Sequence, residues 1–175
     1  MTKTLYLLRH AKSSWDQSGI EDHDCPLNAR GIENATQMGQ HMRGKGYAPA
    51  LILCSSARRT RETLERIQPN LPRDGQIRYE PGLYLATPAR MLALVQDTDD
   101  AIPSVMVIAH SPGTEGCALS LARTEAGREE QQRRAQIEEK FPTAALAVLT
   151  LPATRWRDIR PGTGALIAFI RPRDL

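Results

Sequence analysis

Two apolar runs in this chain stop abruptly at a histidine. Leu5-Tyr6-Leu7-Leu8 runs into Arg9-His10, and Ser104-Val105-Met106-Val107-Ile108-Ala109 runs into His110-Ser111-Pro112-Gly113. Short continuous apolar runs bounded by polar residues read as strands buried on both faces, the kind found in parallel sheets. Parallel strands need crossover segments, usually helices, and helical patterns stand between the runs. Asn28 is placed to cap a helix carrying Ile32, Ala35, Met38, Gly39 and Met42 up to a stop at Gly44-Lys45-Gly46. Ala50 to Cys54 reads as a second buried strand, followed at Ser55-Ser56 by a helix from about Arg58 to Gln68 that ends before Pro69.

Farther along, Ile77 to Glu80 forms a short third strand, and Thr87-Pro88 opens a helix over Ala89 to Gln96 with proline at its first position. Thr114 to Ala122 is small and apolar enough for a helix against the sheet, whereas Thr124 to Lys140, dense in Arg, Glu and Gln, reads as a solvated helix or excursion. Ala144 to Leu151 and Ala165 to Ile170 close the chain as two strands that pair as an antiparallel edge. The alternation implies an α/β fold, a mostly parallel central sheet between two helical layers. No repeat or linker interrupts it, so one domain over residues 1–175 is expected.

In such a sheet, ligands bind beyond the carboxyl ends of the strands. On the dipeptide alone, Arg9-His10 is a surface pair at the end of an ordinary strand. Convergence changes that reading, because the ends of strands one, two and four share a rim and can gather Arg9, His10, the Arg58-Arg59-Arg61 cluster and His110. Guanidinium binds phosphate oxygens in bidentate fashion and stays charged. Imidazole can be a neutral nucleophile in one place and a donor in another. The set suits a phosphoryl group without calling for a metal.

The balance of 23 Lys and Arg against 20 Asp and Glu gives a net charge of only +3, with no basic block and few aromatic residues, which argues against a nucleic-acid partner. No apolar run is long enough for a membrane span, and no apolar leader precedes the first strand. Three widely spaced cysteines, Cys25, Cys54 and Cys117, suggest neither a disulfide framework nor a zinc site. The expected class is soluble and globular, and the expected location is cytoplasmic.

Four segments together resemble the successive motifs of the histidine phosphatase superfamily: Leu7-Leu8-Arg9-His10 with Ser13-Ser14-Trp15, Pro26-Leu27-Asn28-Ala29-Arg30-Gly31, Ser55-Ser56-Ala57-Arg58-Arg59-Thr60-Arg61-Glu62-Thr63, and Val107-Ile108-Ala109-His110-Ser111-Pro112-Gly113. Within it, the chain is similar to the short SixA-type branch of phosphohistidine phosphatases, from the first strand to Phe141-Pro142-Thr143. The resemblance implies a phosphoglycerate mutase-like sandwich. It also implies that His10 is the nucleophile that becomes phosphorylated, that Arg9 and Arg59 bind phosphate, and that His110 donates to the phosphoryl oxygens. In the family's Ser-x-x-x-Arg-x-x-x-Thr signature the threonine falls on Thr63, leaving Arg58 and Arg61 on the helix surface. No cofactor and no metal are implied.

The proton donor is less determined. Larger relatives carry a glutamate after the third strand, but Pro81 to Gln96 contains no acid. The SixA-type pattern, counted back from Pro26, places the acid on Asp22, with Asp16, Asp24 and Glu80 as alternatives. Cys25 stands where many relatives have a phosphate-binding arginine, and it reads as a space-filling thiol. His23 and His41 read as solvent-exposed, and Trp15 and Trp156 as packing residues.

A chain of 175 residues leaves little room for the cap that encloses small substrates in larger relatives. An open site would admit a protein side chain, and a P–N bond needs less help from a strong acid than an alkyl ester does. The expected substrate is therefore phosphohistidine on a protein, for example a histidine phosphotransfer domain. Alternatives are a phosphomonoesterase for a small phosphorylated metabolite and a non-catalytic phosphate-binding regulatory module; a mutase is disfavoured by the missing cap and glutamate.

Overall fold

The computed structural model describes residues 1–15 and 18–175. Six strands, β1 (Lys3–Arg9), β2 (Leu51–Ser55), β3 (Gln76–Glu80), β4 (Ser104–Ala109), β5 (Leu146–Leu151) and β6 (Ala165–Ile170), form one sheet in the order β3-β2-β4-β1-β5-β6. The first four are mutually parallel, while β5 runs antiparallel to both β1 and β6. The expected mostly parallel sheet with an antiparallel pair at one edge is what the chain adopts, and the reversed strand is β5.

Among the described residues five α-helices cover the sheet: α1 (Ala29–Lys45), α2 (Arg58–Ile67), α3 (Pro88–Gln96), α4 (Gly113–Leu121) and α5 (Arg128–Glu139). The two-residue period of the strands sorts their side chains between two cores. Leu5, Leu7, Leu53, Val105 and Val107 pack with Met91, Val95, Leu121 and Trp156 on one face. Tyr6, Leu8, Ile52, Met106 and Ile108 pack with Met38, Met42, Leu64 and Ile67 of α1 and α2 on the other. Each such fully buried side chain stabilises the fold by roughly 1.5–3 kcal/mol. The central strands therefore cannot slip in register without exposing one face. No helix among the described residues is long and apolar enough to cross a membrane.

The helix ends follow their residues. Asn28 accepts the Gly31 N–H at 2.8 Å as N-cap of α1, and Gly46 closes that helix at φ 69°, a left-handed conformation open to glycine. Thr87 caps α3 ahead of Pro88. The observed β5 starts at Leu146 and not at Ala144. Ala144 instead turns at φ 61° and points its N–H at the carbonyls of Arg9 and His10, 3.2 and 3.0 Å away. It terminates β1 on one side before β5 begins. The charged run becomes α5, which starts at Arg128, after Gly127 in an extended conformation.

Candidate active site

The register of β1 against β4 pairs Arg9 with Ala109, so the next residue on each strand leaves the sheet beside the other. His10 and His110 consequently stand with ring centroids 5.3 Å apart, both buried. The His10 backbone N–H is held by the Ala109 carbonyl at 3.0 Å. Its Nδ1 lies 2.7 Å from the Ala11 carbonyl oxygen, which can only accept, so Nδ1 carries the proton and the neutral ring keeps its lone pair on Nε2. Thr63 of α2 fixes this turn from below. Its hydroxyl accepts the Ala11 N–H at 2.9 Å and donates to the Arg59 carbonyl at 2.7 Å.

Ser55, at the end of β2, orients the second histidine, its Oγ 2.7 Å from His110 Nε2. The Ala57 N–H reaches the same oxygen at 3.5 Å. When the hydroxyl points its proton at Nε2, His110 carries its own proton on Nδ1. That Nδ1 is buried without a partner among the described residues. A buried donor of this kind is expensive unless a ligand completes it. Burial lowers His10 to about 4, assisted by the Arg59 and Arg9 charges, and lowers His110 to about 3, assisted by His10 and Arg59. Both rings are therefore uncharged at neutral pH.

Two guanidinium groups complete the charge. Arg9 donates through Nη1 to the Phe141 carbonyl at 2.8 Å, and its buried Nε has no partner among the described residues. Arg59, buried in the first turn of α2, donates through Nη1 to the Asp22 carbonyl at 2.7 Å and through Nη2 to Asp22 Oδ2 at 3.0 Å. The Tyr84 hydroxyl donates to the same carboxylate oxygen. The Tyr84 hydrogen bond, followed by Arg59, holds the Asp22 carboxyl below its usual range. Burial and then Asp22 push the Tyr84 phenol up.

Arg9, His10, Asp22, Arg59 and His110 are thus brought to one rim. Two of the other candidate acids, Glu80 and Asp24, have other partners. Glu80 is tied to Arg78 Nε at 2.7 Å, and Asp24 faces solvent beside His23; Asp16 lies outside the described residues. Arg58 pairs with Glu62 at 2.9 Å on the outer face of α2. Buried Cys25 directs Sγ at the Glu21 carbonyl, which is a packing role.

Three readings need correction. His23, expected in solvent, is half-buried: its ring stands edge-on to Tyr84 with centroids 4.8 Å apart, and Nε2 meets Ser56 Oγ at 2.9 Å. It takes this position because the 3-10 turn Asp22–Asp24 folds onto α2. His41 is partly buried beside Tyr47, its Nε2 out of contact with water. Trp15, expected to pack, is 68% exposed, because the loop is pinned one residue earlier by the bond from Ser14 N–H to the Pro26 carbonyl. Trp156 is fully buried as expected, its Nε1 donating to the Ile102 carbonyl at 2.8 Å. Tyr84 and Ser55 were not singled out for these contacts. Ser55 had a signal, as first residue of the Ser-x-x-x-Arg-x-x-x-Thr pattern; Tyr84, 62 residues from Asp22, had none.

Chemically, a bare imidazole nitrogen, an imidazole N–H and two guanidinium groups surround a point that suits an anionic tetrahedral group. No group of three His, Cys, Asp or Glu side chains suited to a metal occurs among the described residues.

The chain is similar to known proteins over nearly its whole length. The model of the histidine phosphatase superfamily (branch 1) matches residues 5–84. An uncharacterized protein of Mycobacterium tuberculosis strain H37Rv is 38% identical over 169 residues, covering 95% of this chain and 100% of the relative. The solved SixA protein of Agrobacterium tumefaciens, assigned by name as a phosphohistidine phosphatase, is 32% identical with a TM-score of 0.77, covering 97% of this chain and 98% of that one. The SixA protein of Nakamurella multipartitia, assigned in the same way, is 28% identical with a TM-score of 0.82, covering 98% and 97%.

Proposed function

This chain belongs to the histidine phosphatase superfamily, in its SixA-type branch, and on that premise we propose that it hydrolyses phosphohistidine on a protein through a phosphoryl group carried by His10. The observation that carries the reading is the tautomer of His10. With Nδ1 fixed on the Ala11 carbonyl, the Nε2 lone pair is the free, uncharged nucleophile. Nε2 attacks phosphorus in line as the P–N bond to the substrate ring, protonated on its other nitrogen, breaks, and that ring leaves as neutral imidazole with the electron pair. Arg9, Arg59 and the His110 Nδ1–H stabilise the charge spreading over the phosphoryl oxygens. Water then attacks the phosphohistidine, the P–N bond breaks, and inorganic phosphate departs with His10 restored.

The expected role of Asp22 is proton donor; we propose that it acts as a base instead, since its bonds to Tyr84 and Arg59 favour the ionised form. A carboxylate held ionised by Tyr84 and Arg59 is poorly suited to protonate a leaving group. It is suited to take a proton from the attacking water in the second step. A phosphohistidine ring protonated on its distal nitrogen leaves as neutral imidazole, a far better leaving group than an alkoxide, and needs no strong acid at the breaking bond in the first. This asymmetry favours a P–N substrate over an alkyl phosphate. Three free cysteines are consistent with a cytoplasmic address.

The test is to trap the intermediate with phosphoramidate, then compare kcat/KM for a phosphohistidine peptide with that for alkyl phosphomonoesters. An acid-labile, alkali-stable phosphoenzyme that His10→Ala lacks, together with preference for the peptide, is expected. A large preference for one small ester would overturn the substrate assignment. Wild-type protein giving neither phosphoenzyme nor turnover would make it a phosphate-binding module.

A further inference from the structure

Beside the phosphoryl site, a groove of about 250 Å³ opens between the start of α1, the end of α5 and the turn after β6. Its walls carry Arg30, Lys140, Arg171 and Arg173 against a single carboxylate, Glu139. Arg171 is engaged by Asp174 at 2.9 Å, whereas Arg30, Lys140 and Arg173 make no ion pair among the described residues and are exposed. Three solvated cations converging on one concavity repel each other, an arrangement that an anionic partner would relieve.

The topology sets this groove on the same rim as His10. β5 runs against β1, so the segment that leads into it, with Pro142 and Thr143 on the groove wall, lies at the carboxyl end of β1. Arg171 and Arg173 follow β6, which ends at that rim too. Thr143 adjoins Ala144, whose N–H donates to the His10 carbonyl at 3.0 Å. With successive Cα atoms ~3.8 Å apart, the wall begins within about 10 Å of the nucleophile's backbone.

We propose that this groove docks an acidic face of the protein whose phosphohistidine enters the site, an inference that rests on the function proposed above. A specific protein interface covers roughly 800 Å² on each partner, a patch of about 16 Å radius. A protein centred on His10 therefore covers the groove, whereas a small phosphate ester does not reach it. The groove has no aromatic lining on which bases would stack, and its charge is concentrated at one spot instead of following a strand. Opposite charge would raise the rate of encounter and fix the orientation in which the partner's histidine is presented.

The test uses the charge-reversed variant Arg30→Glu/Lys140→Glu/Arg173→Glu, none of whose positions contacts the phosphoryl site. Two synthetic phosphohistidine peptides, one flanked by Asp and Glu and one by Ser, are compared with phosphoramidate. Wild type is expected to turn over the acidic peptide with a kcat/KM at least tenfold above the neutral one. In the variant that ratio collapses toward one while phosphoramidate turnover stays unchanged. No preference in wild type, or a preference that survives charge reversal, overturns the proposal. So does pyrophosphate binding at the groove as tightly as an acidic peptide, which would mark a small-anion site.

Binding of an unphosphorylated decaglutamate peptide separates this idea from the catalytic one. If no phosphoramidate compound is turned over, the function proposed above fails, and the groove is judged by this binding alone. A tenfold weaker Kd in the variant supports docking, and an unchanged Kd refutes it.

Discussion

A single residue fills both arms of the Arg59 guanidinium: the Asp22 carbonyl takes Nη1 at 2.7 Å and the Asp22 carboxylate takes Nη2 at 3.0 Å. Asp22 therefore occupies the fork that, on the proposed function, a phosphoryl group uses. On the function proposed above, phosphate binding loosens this pair and frees the carboxylate beside the phosphorus.

Asp22→Asn should accordingly bind inorganic phosphate more tightly. A half-exposed charge pair is worth roughly 1 kcal/mol, or about a fivefold lower Kd. Dephosphorylation of the phosphoenzyme should slow at the same time, because an amide takes no proton from water. Calorimetry with phosphate and single-turnover decay of the phosphoenzyme measure the two effects. Weaker phosphate binding in Asp22→Asn would show that the carboxylate is not a competitor.

Ser55→Ala removes the group that fixes the His110 ring. Because His110 is proposed to act on charge developing in the transition state, kcat should fall by about ten- to a hundredfold while KM moves little, in keeping with the loss of one aimed donor. Ser55→Thr keeps a hydroxyl and should recover much of the rate. A variant that changes KM alone would place Ser55 in substrate binding.

The two histidines also make stability depend on pH. Folded His10 and His110 have values lowered to about 4 and about 3, against 6.5 when unfolded. The unfolded chain therefore binds more protons between these limits, and stability rises with pH through that window. Their contribution is fully present above about pH 6.5 and is lost as pH falls toward 4 and below. Urea titrations from pH 8 to pH 4 should show a falling midpoint that is shallower in His10→Asn. A midpoint insensitive to this substitution would indicate that His10 is not held uncharged.

Activity should survive chelation. In the proposed mechanism Arg9 and Arg59 supply the positive charge that a Lewis acid would otherwise supply, so kcat after exhaustive EDTA treatment should remain within about twofold of the untreated value. Loss of activity restored by a divalent ion would contradict the reading.

Gly31 touches the loop after His10 directly: a Cβ there would lie 2.1 Å from the Lys12 carbonyl oxygen. Gly31→Ala must push that loop away and should destabilise by about 1–3 kcal/mol, as overpacking does. Turnover should fall more than stability does, since Ala11 and His10 lie next in the chain. Unchanged melting and unchanged kcat would mean that the loop yields freely.

Much of this was legible because the informative residues end regular elements. Apolar strands that stop at Arg9-His10 and Ala109-His110 announce both the sheet and its rim, and Asn28, Gly46 and Pro88 mark helix ends by their own backbone chemistry. The Asp22 wall was harder to read. His23 and Tyr84 belong to short irregular segments with no hydrophobic period, and they meet only because the 3-10 turn Asp22–Asp24 and the segment after β3 fold over the end of β2 and β4. Trp15 misled because large aromatic residues are usually buried, while here the backbone bond at Ser14 fixes the loop and the next residue steps outward.

The placement of β1 and β4 at the middle of the sheet has a dynamic consequence. Their amides are paired on both sides and lie under both cores, so they exchange hydrogen with solvent only when the whole molecule opens. The outer strands β3 and β6 can fray on their own. The two histidines therefore ride on the slowest-exchanging part of the fold, and catalytic competence should persist through local breathing and vanish only in the global transition.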